Sequence, residues 1–322
     1  MSDPALLVHS FDAGRDSAIT EVRAGFDSGR FKADLARLVA APTESQNPER
    51  ADALSAYLTT NMRPIFEELG FSCELLTHAK APGPFLLAER REDSARPTIL
   101  GYGHGDVVRG MDGMWIEGTS PWRLTEIGER FYGRGVADNK GQHLINLSAL
   151  RAVLQTRGRL GFNAKFLIEM GEEIGSPGLR ELCAEQRDRL RADVLIASDG
   201  PRLAAKRPTV FLGARGGYSF DLEIRARAGG HHSGNWGRFL SDPAIQLAHA
   251  IASITSPTGQ IRIPEWTPKE LPEAVREALA DCEIDGGAEA PKIDPRWGEP
   301  GLSRAEQVFG ACDDTGLALG TE

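Results

Sequence analysis

Only four cysteines occur in the 322 residues, Cys73, Cys183, Cys282 and Cys312, and no two of them form a C-x-x-C pair. That argues against a thiolate metal site and against a disulfide framework, and it fits a reduced, cytoplasmic setting. No apolar run approaches the roughly 18 residues that a membrane span needs. The opening stretch, MSDPALLVHSFDAGRD, has no basic segment followed by an apolar one, so it does not read as a secretory signal. The net charge is −9 and like charges are not blocked together. Phosphate binding needs a clustered basic face, so nucleic acid is not an expected partner, and neither is a membrane. Internal repeats and low-complexity tracts are also lacking.

The remaining composition is that of an ordinary soluble protein, with 41% hydrophobic and 26% charged residues. The length allows two domains. Residues from about 17 to 70 read as helices, because FKADLARLVA and ADALSAYLTTNMRPIFEELG carry apolar residues at the helical period and Gly70 is a stop signal. A strand pair follows, FSCELL and PFLLAER. Three short apolar runs come next, TILGYG, KFLIEM and DVLIAS, each with the look of a buried strand. Helical stretches near Gln142–Gln155 and Pro177–Arg189 separate them. This alternation predicts an α/β domain over residues 1–207, with a mostly parallel sheet flanked by helices. From Thr209 the pattern changes to amphipathic alternation in TVFLGARGGYSFDLEIRAR. SDPAIQLAHAIASI then reads as a helix capped by Ser241 or Asp242. Residues 208–322 are thus expected to form a second, α+β domain with an antiparallel sheet.

The chemistry is concentrated where the buried strands end. TILGYG runs into His104-Gly105-Asp106, KFLIEM into Gly171-Glu172-Glu173, and DVLIAS into Asp199-Gly200. Open α/β sheets place their sites at these carboxyl ends. A further acid, Asp138, sits in the glycine-rich stretch YGRGVADNKG just before a predicted helix. Each of these has a plain structural explanation when taken alone. Asp138 could cap its helix, Asp199-Gly200 could be a turn, and the Glu172–Glu173 pair could be a solvated strand end. Their convergence changes the balance, because gathering so much negative charge without a cation is costly. Imidazole and carboxylate ligands with no thiolate suit zinc, with cobalt or manganese as alternatives. Asp106 lies two residues after His104, on the same side of an extended chain, where it can orient the imidazole. GYGHG does not meet the spacing of a nucleotide-binding glycine loop. His9, His78, His143 and His249 are expected to be structural or surface residues.

With GHGDVV, GRGVADNKG, MGEEIGSPG and ASDG in this order, the chain resembles the co-catalytic di-zinc amidohydrolases and exopeptidases. That family includes carnosinase-type dipeptidases, aminoacylases, acetylornithine deacetylase and succinyl-diaminopimelate desuccinylase. The resemblance implies a zinc-exopeptidase-like catalytic domain with an inserted lid and dimerisation domain, and two zinc ions per subunit. It assigns His104 and Asp199 to one zinc, Glu173 to the other, and Asp138 as the bridge, with a cis Asp138–Asn139 peptide. Glu172 is then the general base and Asp106 the partner of the imidazole. GGHHSGNWG is similar to the dipeptidase branch, where a His-Ser-Gly segment supplies a substrate-contacting histidine, and this maps onto His232. In relatives that residue reaches the partner subunit's site, which implies a homodimer built through the lid. The expected substrate is a dipeptide or a C-terminal residue. N-acyl amino acids cleaved by a deacylase are the first alternative, and a non-catalytic dimerising or binding module is the second. The chain departs from the family pattern at its end. No histidine follows His249, and Glu322 falls inside what would be the lid, so the family pattern is expected to be incomplete here.

Overall fold

The structure is a computed structural model. It describes residues 4–200, 209, 220–266, 272–280, 292, 294–298, 301–303 and 305–307, with side chains from residue 14 onward. The chain divides into two compact units, Met1–Pro201 and Arg202–Glu322.

The first unit opens with helices α1 (Pro4–Asp27) and α2 (Arg30–Val39), separated by Gly29 at φ 80°. Apolar residues recur on one face of α2 and bury Leu35, Leu38 and Val39. The predicted helix that follows is a composite: α3 (Ala51–Ala56), one π-helical turn (Tyr57–Met62) and α4 (Arg63–Glu68). Pro64 lies at the start of α4. It has no N–H to give the turn before it and would crowd a carbonyl there, so the preceding turn widens rather than continuing as α-helix. Gly70, at φ 75°, ends the run.

Strands β1 (Ser72–Leu76) and β2 (Phe85–Arg90) form the expected hairpin. β3 (Thr98–His104) follows, then a small two-stranded ribbon of β4 (Thr125–Ile127) and β5 (Arg130–Tyr132). Helix α5 (Lys140–Arg157) leads to β6 (Asn163–Glu169). Helices α6 (Leu179–Glu185) and α7 (Arg187–Leu190) lead to β7 (Val194–Ala197). The main sheet has the order β1-β2-β6-β3-β7. β6, β3 and β7 run parallel, while β2 lies antiparallel to β6. The sheet is therefore mixed, with a parallel part that carries the site and a hairpin added at one edge.

Alternate residues of β2 face opposite sides. Leu86 and Ala88 pack with Leu38, Tyr57, Phe66, Leu144 and Ile168 on one face. Phe85 and Leu87 pack with Leu76, Leu167, Leu182 and Leu190 on the other. Covering both faces explains why these strands read as near-continuous apolar runs.

In the second unit the described helices are α8 (Ser233–Trp236), α9 (Pro243–Ile254) and α10 (Glu273–Ala280). Of the two candidate caps of α9, Asp242 takes the role, accepting the backbone N–H of Ala244 at 2.8 Å and of Ile245 at 3.3 Å. Most of the first part of the predicted antiparallel sheet, residues 210–219, lies outside the described residues. Phe220–Arg227 is not in a strand among those described. No described helix is long and apolar enough to cross a membrane.

Candidate metal centre

His104 ends β3 and pairs in register with Glu169 at the end of β6. Both strands are parallel, so the loops leaving them emerge side by side. The His104 imidazole is fully buried. Its Nδ1 lies 3.1 Å from the Asp106 carbonyl oxygen and 3.3 Å from Asp106 Oδ1. Its Nε2 points the other way, toward three carboxylates: Asp138 Oδ1 at 2.9 Å, Asp199 Oδ1 at 3.6 Å and Glu172 Oε2 at 3.9 Å. One imidazole nitrogen can donate only one hydrogen bond, so His104 does not by itself satisfy all three carboxylates. His104, Glu172 and Asp199 offer ligand atoms all within 4.8 Å of one another.

The electrostatics follow from this crowding. Burial first, and then the charges of Asp199, Asp106 and Asp138, hold the Glu172 carboxyl above the usual carboxylate range, against the pull of His104. Burial and the Asp138 charge do the same to Glu173. Burial alone would lower the His104 pKa, but the hydrogen bonds and charges of Asp106 and Asp199 outweigh it and raise it to about 11. The donor set, one imidazole and several carboxylates with no thiolate, fits a hard or borderline divalent ion such as zinc.

Of the candidate residues, His104, Asp106, Asp138, Glu172 and Asp199 come together around one imidazole. Asp138 does not cap α5. Asn139 occupies the N-cap position, with no side-chain cap bond, and the Asp138–Asn139 peptide is cis. Glu172 and Glu173 begin a short 3₁₀ turn, Glu172–Ile174, closed by Gly175 at φ 86°. This turn sends the two side chains different ways. Glu172 reaches the His104 cluster, while Glu173 Oε1 accepts the Val108 backbone N–H at 3.3 Å. His232 lies in the second unit, where its Nδ1 accepts the Gly234 N–H at 3.1 Å and caps α8. His143 is a buried structural residue, its Nε2 2.7 Å from the Tyr57 hydroxyl. Burial, with help from the His104 and Lys140 charges, lowers its pKa to about 3 and keeps the ring neutral.

Three residues support the site in roles that the sequence does not suggest. Asn139 is fully buried between the ends of β3 and β7. Buried Glu169 accepts the Tyr102 phenol at 2.5 Å and the Ser176 hydroxyl at 2.8 Å on the same oxygen, which ties down the far side of the Glu172–Ser176 turn. Lys140 is buried and donates to the carbonyls of Leu38 at 3.1 Å and Ala41 at 2.7 Å. Of these three, only Glu169 left a sequence signal, a charge placed inside the otherwise apolar KFLIEM.

Comparison with known proteins gives these features a family. A β-Ala-His dipeptidase of Mus musculus is 36% identical over 184 residues, covering 56% of this chain and 37% of that protein. A cysteinylglycine-S-conjugate dipeptidase of Corynebacterium striatum is 31% identical over 240 residues, covering 73% of this chain and 51% of that protein. The chain thus matches about half or less of these relatives' lengths. The solved structure of human carnosine dipeptidase 1 superposes with a TM-score of 0.67 at 25% identity, covering 84% of this chain and 59% of that one. Residues 100–320, more than half of the chain, match the peptidase family M20/M25/M40, and the chain belongs to that family.

Proposed function

We propose that this chain carries the catalytic machinery of a metal-dependent hydrolase that cleaves the amide bond of a dipeptide or releases a C-terminal residue. The observation that carries this reading is the convergence of His104, Glu172 and Asp199 on one point, with Asp138 on the same imidazole nitrogen. Relatives described as dipeptidases support the substrate class.

In this reading His104 and Asp199 would hold one zinc ion, Glu173 would hold a second, and Asp138 would contribute its carboxylate to both, with cobalt or manganese as alternative metals. Bound ions would acidify a water molecule and polarise the scissile carbonyl. Glu172 takes the proton from the attacking water and delivers it to the leaving amine. Its raised pKa suits a group that must both accept and release a proton. Asp106 fixes the orientation of His104. His232 stabilises the developing oxyanion. Residues 1–207 act as the catalytic domain, and residues 208–322 as part of a lid that also builds a homodimer. A cytoplasmic location agrees with Cys73 and Cys183 being free thiols.

The test is a metal and substrate panel on the purified chain. The expected result is about two zinc ions per chain after mild loading, and hydrolysis of unblocked dipeptides that stops on chelation. Cleavage of N-acetyl and N-succinyl amino acids alone would refute the dipeptidase reading. Loading of no metal at all would refute the metal centre.

A further inference from the structure

Two carboxamides lie seven residues apart at the start of α5, Asn139 at its N-cap position and Asn146 inside it. Seven residues are close to two helical turns, so the two side chains leave from one face. That face meets the end of β7. Asn139 Nδ2 donates to the Ser198 carbonyl and to Asp199 Oδ1, each at 2.7 Å. Its Oδ1 accepts the His104 backbone N–H at 3.4 Å. These partners fix the orientation of the amide, since a flipped group would set oxygen against two oxygens and NH₂ against an N–H. Asn146 Nδ2 donates to Ser198 Oγ at 2.8 Å.

The need for such support is visible in the sheet. Among the described residues β7 ends the strand order, and its pairing with β3 runs from Val194 to Ala197. The ladder stops before Asp199, and all four residues of β7 are exposed. Backbone pairing therefore does not hold the Asp199 carboxylate in place. A ligand left free in its torsions must be ordered when an ion binds, which weakens binding. A neutral amide restrains it without cancelling its charge, as a lysine or arginine there would.

We propose that Asn139 and Asn146 are positioning residues that clamp Ser198–Asp199 against α5, so that Asp199 faces His104 before any ion arrives. This inference rests on the metal-centre reading above.

The test is zinc affinity of the chelator-stripped chain by competition with a chromophoric chelator, with the cobalt(II) absorption spectrum and the thermal midpoint of the stripped chain recorded alongside. Asn139→Ala is expected to lower zinc affinity about 10–100-fold, as loss of groups that orient ligands does elsewhere, and to alter the cobalt bands. Asn146→Ala and Ser198→Ala are each expected to lower it several-fold. Their double variant should lose no more than either one, because both delete the same bond. A merely structural amide would lower the thermal midpoint and leave the affinity of the folded chain unchanged. Zinc affinity within twofold of the unchanged chain for folded Asn139→Ala and Asn146→Ala overturns the clamp alone. If Asn139→Ala does not fold, the Asn146 and Ser198 variants decide by the same criterion. An unchanged chain that binds no zinc overturns the metal centre, and the clamp falls with it.

Discussion

The Asp106 carboxylate accepts the backbone N–H of Glu173 through Oδ2 at 3.1 Å, and that of Glu172 through Oδ1 at 3.2 Å. The side chain that flanks His104 therefore also holds the turn that presents both glutamates. One residue thus couples the imidazole at the end of β3 to the acids that follow β6.

Asp106→Asn keeps the shape of the side chain but replaces one acceptor with an NH₂ that opposes a backbone N–H. The turn should loosen, and metal affinity and turnover should both fall about 10–100-fold, as for other groups that orient ligands. Asp106→Ala, which leaves two N–H groups without their partner, should also lower unfolding free energy by about 1–3 kcal/mol. Zinc competition and urea denaturation measure the two effects.

Glu172→Gln removes the proposed proton carrier but keeps the size of the side chain. Turnover should fall by about 10²–10⁴-fold, the usual weight of a general acid–base group. Zinc content should stay close to that of the unchanged chain. Loss of zinc together with activity would instead make Glu172 a ligand, a role its place in the His104 cluster also permits geometrically.

Gly141 stands in the first turn of α5 with no room for a side chain, since a Cβ there would lie 1.8 Å from the Val136 carbonyl oxygen. Backbone cannot yield as a flexible side chain can. Gly141→Ala should displace the loop carrying Asp138 and destabilise the first unit by about 1–3 kcal/mol, the range for overpacked sites. Thermal unfolding, together with loss of zinc binding, checks this.

Glu92 accepts the backbone N–H of Leu160 at 2.7 Å and of Gly161 at 2.8 Å, one on each carboxylate oxygen. Burial works against its ionisation, but these bonds and Arg90 prevail and hold its pKa below the ordinary value. A carboxyl with a depressed folded pKa adds stability above its unfolded pKa of about 4.3. That stability is lost as pH falls through the folded value. Glu92→Gln should cost about 1–3 kcal/mol at neutral pH. The gap between variant and unchanged chain should narrow as pH drops below about 4. A gap that stays constant from pH 7 to pH 3 would refute the assignment; denaturant titrations at several pH values decide.

Much of this site could be read from the chain alone. The apolar runs TILGYG and KFLIEM become β3 and β6, because strands covered on both faces must be apolar almost throughout; DVLIAS becomes β7, but its four residues are exposed, against the buried strand that its sequence predicts. Their polar ends identify His104, Glu172, Glu173 and Asp199, since an abrupt change from apolar to ionisable residues is visible without any tertiary contact. Local signals of this kind also marked Gly70 as a helix stop and the start of α9. The π-helical turn before Pro64 could not be read, because its apolar pattern is that of an uninterrupted helix.

What the residues by themselves determined is the α/β order of the first unit and the identity of the acids and the histidine at its strand ends. Only the tertiary structure decided which of the adjacent glutamates meets His104, that Asp138 turns toward the imidazole rather than capping α5, and that Asn139 grips Asp199. Those outcomes depend on contacts such as Asn139 with Asp199 and Asp106 with Glu173, between segments about sixty residues apart in the chain. No local periodicity or propensity encodes such contacts. They arise when parallel strands bring their carboxyl ends to one edge of the sheet and each buried polar group must find a partner there.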